Sequence, residues 1–225
     1  MKKITFISDT HNKHKHLTSK AFQNILRSGD ILVHCGDCTS TGEAYEIKNF
    51  LDWFSSTDYT HKIFIAGNHD WGFEDITDID SKYKDKGVHY LFDSGIEIGG
   101  IKFWGSPWQP EFFNWAFNLP RGEKLAEKWA LIPNDTDILI THGPAFGMLD
   151  WTMGGQRVGC NDLLYRIMEI KPKIHSCGHI HCAYGQKYYE GVEFLNASIL
   201  DEQYQIHNKP IFIEYDENEK KFDYL

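Results

Sequence analysis

The sequence predicts an α/β fold, with a mainly parallel sheet built by its first third and a strand-rich half after it. Three observations predict this. From residue 4 to residue 65, short apolar β-type runs alternate with helical periodicity, which implies β-α-β units with right-handed crossovers. From residue 88 onward, a glycine-turned hairpin and further β-type runs follow,. The apolar runs end in residues that bind metals or move protons, and open α/β sheets place their sites at the carboxyl ends of parallel strands.

Residues 4–7 are the first strand and end in Ser8-Asp9-Thr10-His11. Residues 12–16 alternate His and Lys as a solvated loop or helix start, and residues 17–27 are expected to be a helix closed by Ser28-Gly29,. Residues 31–33 form a second strand that delivers His34-Cys35-Gly36-Asp37. Ala44, Ile47, Phe50, Leu51 and Phe54 recur at helical spacing, which gives residues 43–54 one face for a sheet,. The third strand, residues 63–65, feeds Ala66-Gly67-Asn68-His69-Asp70, where Gly67 permits a sharp turn or a close backbone approach,. Residues 73–86 are acidic and mixed, a loop with a short helix.

Strands are expected over residues 88–92, 95–98 and 101–104, the last two turning about Gly99-Gly100,. Residues 106–120 are dense in aromatics and prolines and fit no regular element. Core filler, a lid over a site and a dimer contact are all open for them. Residues 121–131 return to helix, and residues 137–140 form a strand ending in Thr141-His142-Gly143-Pro144. Leu163, Leu164, Ile167 and Met168 face a core from a helix stopped near Pro172. Residues 173–176 form a strand ending in Gly178-His179-Ile180-His181. The runs at 187–189, 192–195 and 211–215 are assigned to a mixed second sheet. With no repeat, low-complexity tract or linker, residues 1–225 are expected to form one domain carrying an aromatic insertion around 106–120.

A chain of 225 residues buries a core without staples, since a domain of this size hides roughly 70% of its unfolded surface. The formal net charge of −9 argues against a broad grip on duplex nucleic acid, which needs a basic face. It leaves small phosphate substrates open, because bound dications reverse the local field. Cys35, Cys38, Cys160, Cys177 and Cys182 are an odd set without framework spacing, and free thiols are expected,. The C-x-x-C at Cys35 and Cys38 reads as structural. Only the short run at 4–7 separates Met1-Lys2-Lys3 from Ser8-Asp9, too few residues for a secretory core, and no run approaches the ~18 apolar residues of a membrane span. A cytoplasmic location and no membrane partner are expected, and the formal glycosylation triplet Asn196-Ala197-Ser198 then carries no meaning. No Walker-type loop is present, since Gly154-Gly155 lacks the following Lys-Ser/Thr,.

The chemistry sits at five strand ends: Asp9-x-His11, Gly36-Asp37, Gly67-Asn68-His69-Asp70, His142 before Gly-Pro, and His179-x-His181. Each alone is weak, and a lone histidine after a strand is more often a satisfied core residue than a ligand. All five follow apolar runs, and the other seven histidines are read as following no such rule.

In this order the motifs resemble the calcineurin-like metallophosphoesterases, over most of the chain. The segments Gly105-Ser106-Pro107-Trp108-Gln109-Pro110, Asn118-Leu119-Pro120-Arg121-Gly122, Gln156-Arg157-Val158-Gly159-Cys160 and Asn196-Ala197-Ser198 resemble the metallophosphoesterase-domain-containing branch, grouped with class III cyclic-nucleotide phosphodiesterases. The resemblance implies a four-layer α/β/β/α sandwich with two mixed sheets. It implies one metal held by Asp9, His11, Asp37 and His181, and a second held by Asp37, Asn68, His142 and His179, with Asp37 bridging. Both histidines of Gly-His-x-His are present, which implies a competent site. Mixed carboxylate and imidazole donors suit manganese, iron or zinc better than magnesium or calcium, and two divalent ions, manganese first and iron or zinc next, are expected.

The implied activity is hydrolysis of small phosphodiesters, cyclic nucleotides among them, by attack of a metal-activated hydroxide. His69 would act as general acid toward the leaving oxygen, with Asp70 orienting its ring. A nuclease or phosphomonoesterase on the same ions is the alternative within the enzyme class. A metallophosphoesterase-like protein-binding scaffold is the alternative outside it, although such a scaffold has no chemical need for these ligands. The oligomeric state is not legible from the sequence.

Overall fold

The structure, a computed structural model, describes all residues except 21–24, 77, 217, 220 and 225. Its first third runs β1 (Lys2–Ile7), α1 (His14–Leu17), β2 (Gly29–His34), α2 (Ala44–Ser56) and β3 (Tyr59–Phe64). After a 3-10 turn at Trp71–Phe73 come α3 (Ser81–Lys84), β4 (Val88–Tyr90), and the hairpin of β5 (Ser94–Ile98) and β6 (Ile101–Ser106). Gly99 and Gly100 turn that hairpin with φ of 59° and 79°, a region glycine enters without steric cost. Then follow β7 (Gln109–Pro110), β8 (Asn118–Leu119), α4 (Glu123–Trp129), β9 (Ile138–Thr141), α5 (Asn161–Ile170) and β10 (Ile174–Cys177). The chain closes with β11 (Gly185–Tyr189), β12 (Val192–Asn196), β13 (Ile211–Asp216) and β14 (Lys221–Tyr224).

Two six-stranded mixed sheets result, in the orders β14-β13-β1-β2-β3-β4 and β11-β12-β10-β9-β6-β5. Strands β1 to β4 pair in parallel, as do β6, β9, β10 and β12. Period-two alternation assigns each strand's faces. Ile4, Phe6, Ile31, Val33, Ile63, Ile138, Ile140 and Leu195 pack together between the sheets. Ile7, Leu32 and Phe64 face the opposite way, onto Phe50 and Phe54 of α2. Leu139, Val192 and Phe194 turn from the second sheet onto Leu125 and Trp129 of α4 and Leu163 and Ile167 of α5. The layers are therefore α/β/β/α. Burying each of these side chains fully contributes about 1.5–3 kcal/mol, and a one-residue slip of any central strand would exchange its two faces.

The structure departs from the expected elements in three places. The run at 211–215 does not join the second sheet: β13 pairs antiparallel with β1, with Ile213 opposite Ile4 and Ile211 opposite Phe6. Covering the open edge of β1 lets Ile211 and Ile213 enter the inter-sheet core,. Among the described residues the helix expected over 17–27 does not continue from α1, which ends at Leu17. Thr18 and Ser19 donate their hydroxyls back to the Lys15 and His16 carbonyls, a local bond that competes with helix continuation. Residues 21–24 of that expected helix lie outside the described residues, and Ile25, Leu26 and Arg27 are not helical. Within the insertion, β7 and β8 pair in parallel, so the segment between them is a closed loop. Among the described residues, no helix is long and apolar enough to cross a membrane.

Candidate metal centre

Asp9 and His11 follow β1, Asp37 follows β2, Asn68, His69 and Asp70 follow β3, His142 follows β9, and His179 and His181 follow β10. A parallel bridge between Ser8 and Ser198, with Ile199 N donating to the Ser8 carbonyl at 3.0 Å, joins the two sheets at these ends. The donor atoms of Asp9, His11 and His181 lie within 4.8 Å of one another, as do those of Asp37, His142 and His179, and those of His11, Asp37 and His69. Asp37 reaches both outer groups: its Oδ2 is 3.2 Å from His142 Nε2 and 3.6 Å from His11 Nε2. Asp9 Oδ1 lies 3.4 Å from His181 Nε2. Asn68 places its amide oxygen 3.0 Å from His142 Nε2.

The backbone is bent to achieve this. Asp9, His11, Asp37 and His179 have φ of 53°, 38°, 55° and 68°, a left-handed conformation costing of order 1–3 kcal/mol each outside glycine. Close approach matters too, since a Cβ on Gly67 would stand 2.3 Å from Asp37 Oδ1 and one on Gly178 would stand 2.1 Å from Asp9 Oδ2.

Surrounding groups fix the ring orientations. His142 Nδ1 is 2.9 Å from the Cys35 carbonyl and His181 Nδ1 is 3.0 Å from the Asp201 carbonyl. A carbonyl only accepts, so each ring carries a proton on Nδ1 and turns Nε2 inward. His11 differs: both its ring nitrogens are buried without a hydrogen-bond partner. Orphaned buried nitrogens are costly, and a cation held among His11, Asp9, Asp37 and His181 would satisfy one of them. The donor set of carboxylate, imidazole and amide oxygen fits divalent ions.

The charges of the protein alone agree. Burial disfavours charge on His142, but the Asp37 carboxylate outweighs it and lifts the ring to about 9. His181 is likewise lifted to about 9, against its burial, by Asp9. Burial would raise Asp37 and Asp9, yet His142 and His181 respectively hold them below the usual carboxylate range. At His11 and His179 burial prevails and lowers both to about 4. Protons on His142 and His181 thus balance two buried carboxylates, and divalent ions would displace those protons.

His69 sits at the edge of this group. Its backbone N–H donates to Asp37 Oδ1 at 2.8 Å, and its Nδ1 lies 2.8 Å from the Ser40 carbonyl. Asp70 does not orient the His69 ring, which corrects the expectation from sequence. Its buried carboxylate instead accepts from Gly67 N at 2.8 Å, Thr39 N at 2.9 Å, Thr39 Oγ1 at 2.6 Å and Cys38 N at 3.2 Å. Adjacent side chains diverge here, so Asp70 clamps the loop after β2 to the loop after β3.

The group opens into a cleft of ≈ 770 Å³. Phe112, Phe113 and Trp115 wall one side, and Thr152, Met153 and Tyr204 are among the residues of the remaining wall. The aromatic insertion is therefore both core and wall, since Ala116 and Phe117 are buried while Phe112, Phe113 and Trp115 face the cleft. Ser40, Trp115 and Tyr204 have no site role in the sequence reading, and Ser198 enters it only as part of the Asn196-Ala197-Ser198 triplet. Ser198 donates its hydroxyl to Asp9 Oδ2 at 2.8 Å, and the rule of polar residues after an apolar run, applied to β12, would have found it. Asn196 of the same triplet is wholly buried and donates to the Ile180 carbonyl at 2.8 Å, so it braces the His179-x-His181 loop. Trp115 and Tyr204 carry no local signal. His34, by contrast, ends an apolar run yet lies outside the centre. It bonds Thr10 Oγ1 at 2.9 Å and packs on Phe50.

Residues 2–183 match the model of the calcineurin-like phosphoesterases. The chain belongs to the calcineurin-like phosphoesterase family. It is a metal-dependent phosphoester hydrolase. Among its relatives is the human metallophosphoesterase domain-containing protein 1, 40% identical over 232 residues that cover 92% of this chain and 69% of that one. A protein of Thermus thermophilus shares the fold of this phosphoesterase with a TM-score of 0.63 at 13% identity, over 99% of this chain and 97% of that one. A phosphopantetheinyl hydrolase from Mycobacterium tuberculosis does so with a TM-score of 0.57 at 16% identity, over 89% and 90%. All five cysteines of the phosphoesterase are free, and burial pushes the Cys35 thiol up to about 12.

Proposed function

We propose that this phosphoesterase is a phosphodiesterase acting on small phosphodiesters, cyclic nucleotides foremost, with two divalent ions of which manganese is the first choice and iron or zinc the next. The observation that carries the reading is the position of Asp37, whose carboxylate touches donors of both outer groups. One ion would be held by Asp9, His11, Asp37 and His181, and the other by Asp37, Asn68, His142 and His179. When bound, the ions supply positive charge against the phosphoryl oxygens and lower the pKa of an attacking water.

The chain's own groups do the rest. The carbonyls of Cys35 and Asp201 fix the rings of His142 and His181. The Ser40 carbonyl fixes a proton on His69 Nδ1, so the proton that can be passed to a leaving oxygen is on Nε2. The Arg121 guanidinium lines the cleft while donating to the Gly159 and Val158 carbonyls. Neutral carbonyls leave its charge available to an anionic substrate. A cleft of ≈ 770 Å³ is of a size for small ligands, and a net charge of −9 favours them over long nucleic acid. The test is turnover by manganese-, iron- and zinc-loaded protein on cyclic nucleotides, nucleoside monophosphates and single-stranded oligonucleotides. Hydrolysis of the cyclic esters above the other two is the expected result. A preference for monoesters or oligonucleotides would replace the assignment.

A further inference from the structure

With Asp70 turned away, something else must hold the His69 ring, and the aromatic insertion supplies it. Trp115 lies against that ring with centroids 4.2 Å apart and planes 33° apart. His11 also meets the ring in a T-shaped contact, with centroids 4.6 Å apart and planes at 86°. The Ser40 carbonyl takes Nδ1 at 2.8 Å. These contacts restrict both the tilt and the rotation of the imidazole and leave Nε2 as its unassigned nitrogen. The tryptophan is itself tethered to the loop it steadies: Ala116 N donates to the Asn68 carbonyl at 3.1 Å, and Phe117 N donates to Glu74 Oε1 at 3.1 Å. Ala116 and Phe117 are buried, so the indole is carried on a fixed stem.

We infer that Trp115 is a positioning residue for His69, holding its ring so that Nε2 meets the leaving-group oxygen. This rests on the reading of His69 as the general acid. A residue that only walled the cleft would keep its faces for substrate, whereas one face of Trp115 is occupied by His69. The consequence is a division of labour across the insertion, with Trp115 acting on proton transfer and the exposed Phe112 and Phe113 left to contact substrate.

The experiment compares Trp115→Leu, Trp115→Phe and His69→Asn in the manganese-loaded protein, on a nitrophenyl phosphodiester and on an alkyl phosphodiester. A nitrophenolate leaves unaided, and an alkoxide needs the proton. Trp115→Leu should lower kcat on the alkyl ester roughly tenfold and on the nitrophenyl ester by less than about twofold, with KM steady. Trp115→Phe, which keeps a ring face, should recover most of the alkyl rate. In metal-free protein, histidine ¹H–¹⁵N NMR should show the His69 Nδ1 proton, assigned by its loss in His69→Asn. That proton should exchange faster in Trp115→Leu and regain protection in Trp115→Phe.

Equal losses on both esters in Trp115→Leu, or a loss carried by KM, would make Trp115 a substrate wall and end the inference. The His69 assignment is judged separately: if His69→Asn slows both esters equally, the acid role fails and the inference falls with it. If His69→Asn discriminates and Trp115→Leu does not, the inference alone falls. A thermal melt of each variant accompanies the kinetics, and Trp115→Met, which also removes the ring face, carries the test with the same expected split between the esters should the leucine variant fold poorly.

Discussion

Asp37 is the residue on which the centre turns, because its carboxylate contacts His11, His142 and the backbone of His69. Asp37→Ala should empty both metal positions and reduce phosphodiester turnover by more than ~100-fold, since losing a group that orients other ligands already costs 10–100-fold. Metal analysis and a nitrophenyl phosphodiester assay check this, and unchanged metal content would overturn the bridging role. Ser198 acts one step back, through the hydrogen bond to buried Asp9. Ser198→Ala should weaken metal binding by about 10–100-fold, measured by calorimetric titration, with activity restored by excess metal. Asp37 and Ser198 differ in legibility for a physical reason. Asp37 offers a carboxylate next to a glycine after an apolar run, while the role of Ser198 depends on a contact between chain segments 189 positions apart.

At the scale of elements, each loop after a parallel strand is held by a neighbour rather than by itself. The capping box of α2, formed by Glu43 and Glu46, shows this. Glu46 Oε2 accepts from Thr41 N at 3.0 Å and Glu43 N at 3.2 Å, while its other oxygen takes Asn12 Nδ2, which ties the helix start to the loop of His11. Asp70 performs the same service between the loops after β2 and β3. Asp70→Ala should therefore lower stability as well as activity, by about 1–3 kcal/mol for the buried donors it strands. His69→Asn should leave stability and metal content near the parent's and slow only turnover. Denaturant unfolding beside kinetics separates the two, and a His69→Asn variant as unstable as Asp70→Ala would contradict the division. The periodicity that located α2 and α5 is a local property. The short α1 and the placement of β13 are not, being set by Thr18 and Ser19 back-bonds and by the open edge of β1.

For the whole molecule, the buried histidines set the response to pH. In metal-free protein, His142 and His181 are lifted from 6.5 to about 9. Their stabilising contribution is complete below pH 6.5 and is lost as pH rises through about 9. Burial lowers His11, His14 and His179 to about 4 and His34 and His175 to about 3. The unfolded chain therefore gains protons first as pH falls below 6.5, and stability declines on that side too. The melting temperature without metal should peak near pH 6.5. With metal bound, the alkaline decline should vanish and affinity should climb between pH 6.5 and 9, because ions replace the protons on His142 and His181. Melting curves across pH, with and without chelator, test this, and a metal-free protein that gains stability up to pH 9 would contradict it.

The sequence by itself determined the α/β character, most strand and helix positions and the five polar strand ends, whose residues the family resemblance nominates as ligands. Each of those depends on local facts: period-two or helical spacing, and polar residues placed directly after an apolar run. Only the tertiary structure decided which faces those strand ends present. It turned His34 onto Phe50 and Asp70 onto Thr39, and it brought Trp115 and Ser198 to the centre from distant segments. Side-chain direction and contacts between sheets depend on how layers stack, and stacking is a property of the whole chain that no short stretch encodes.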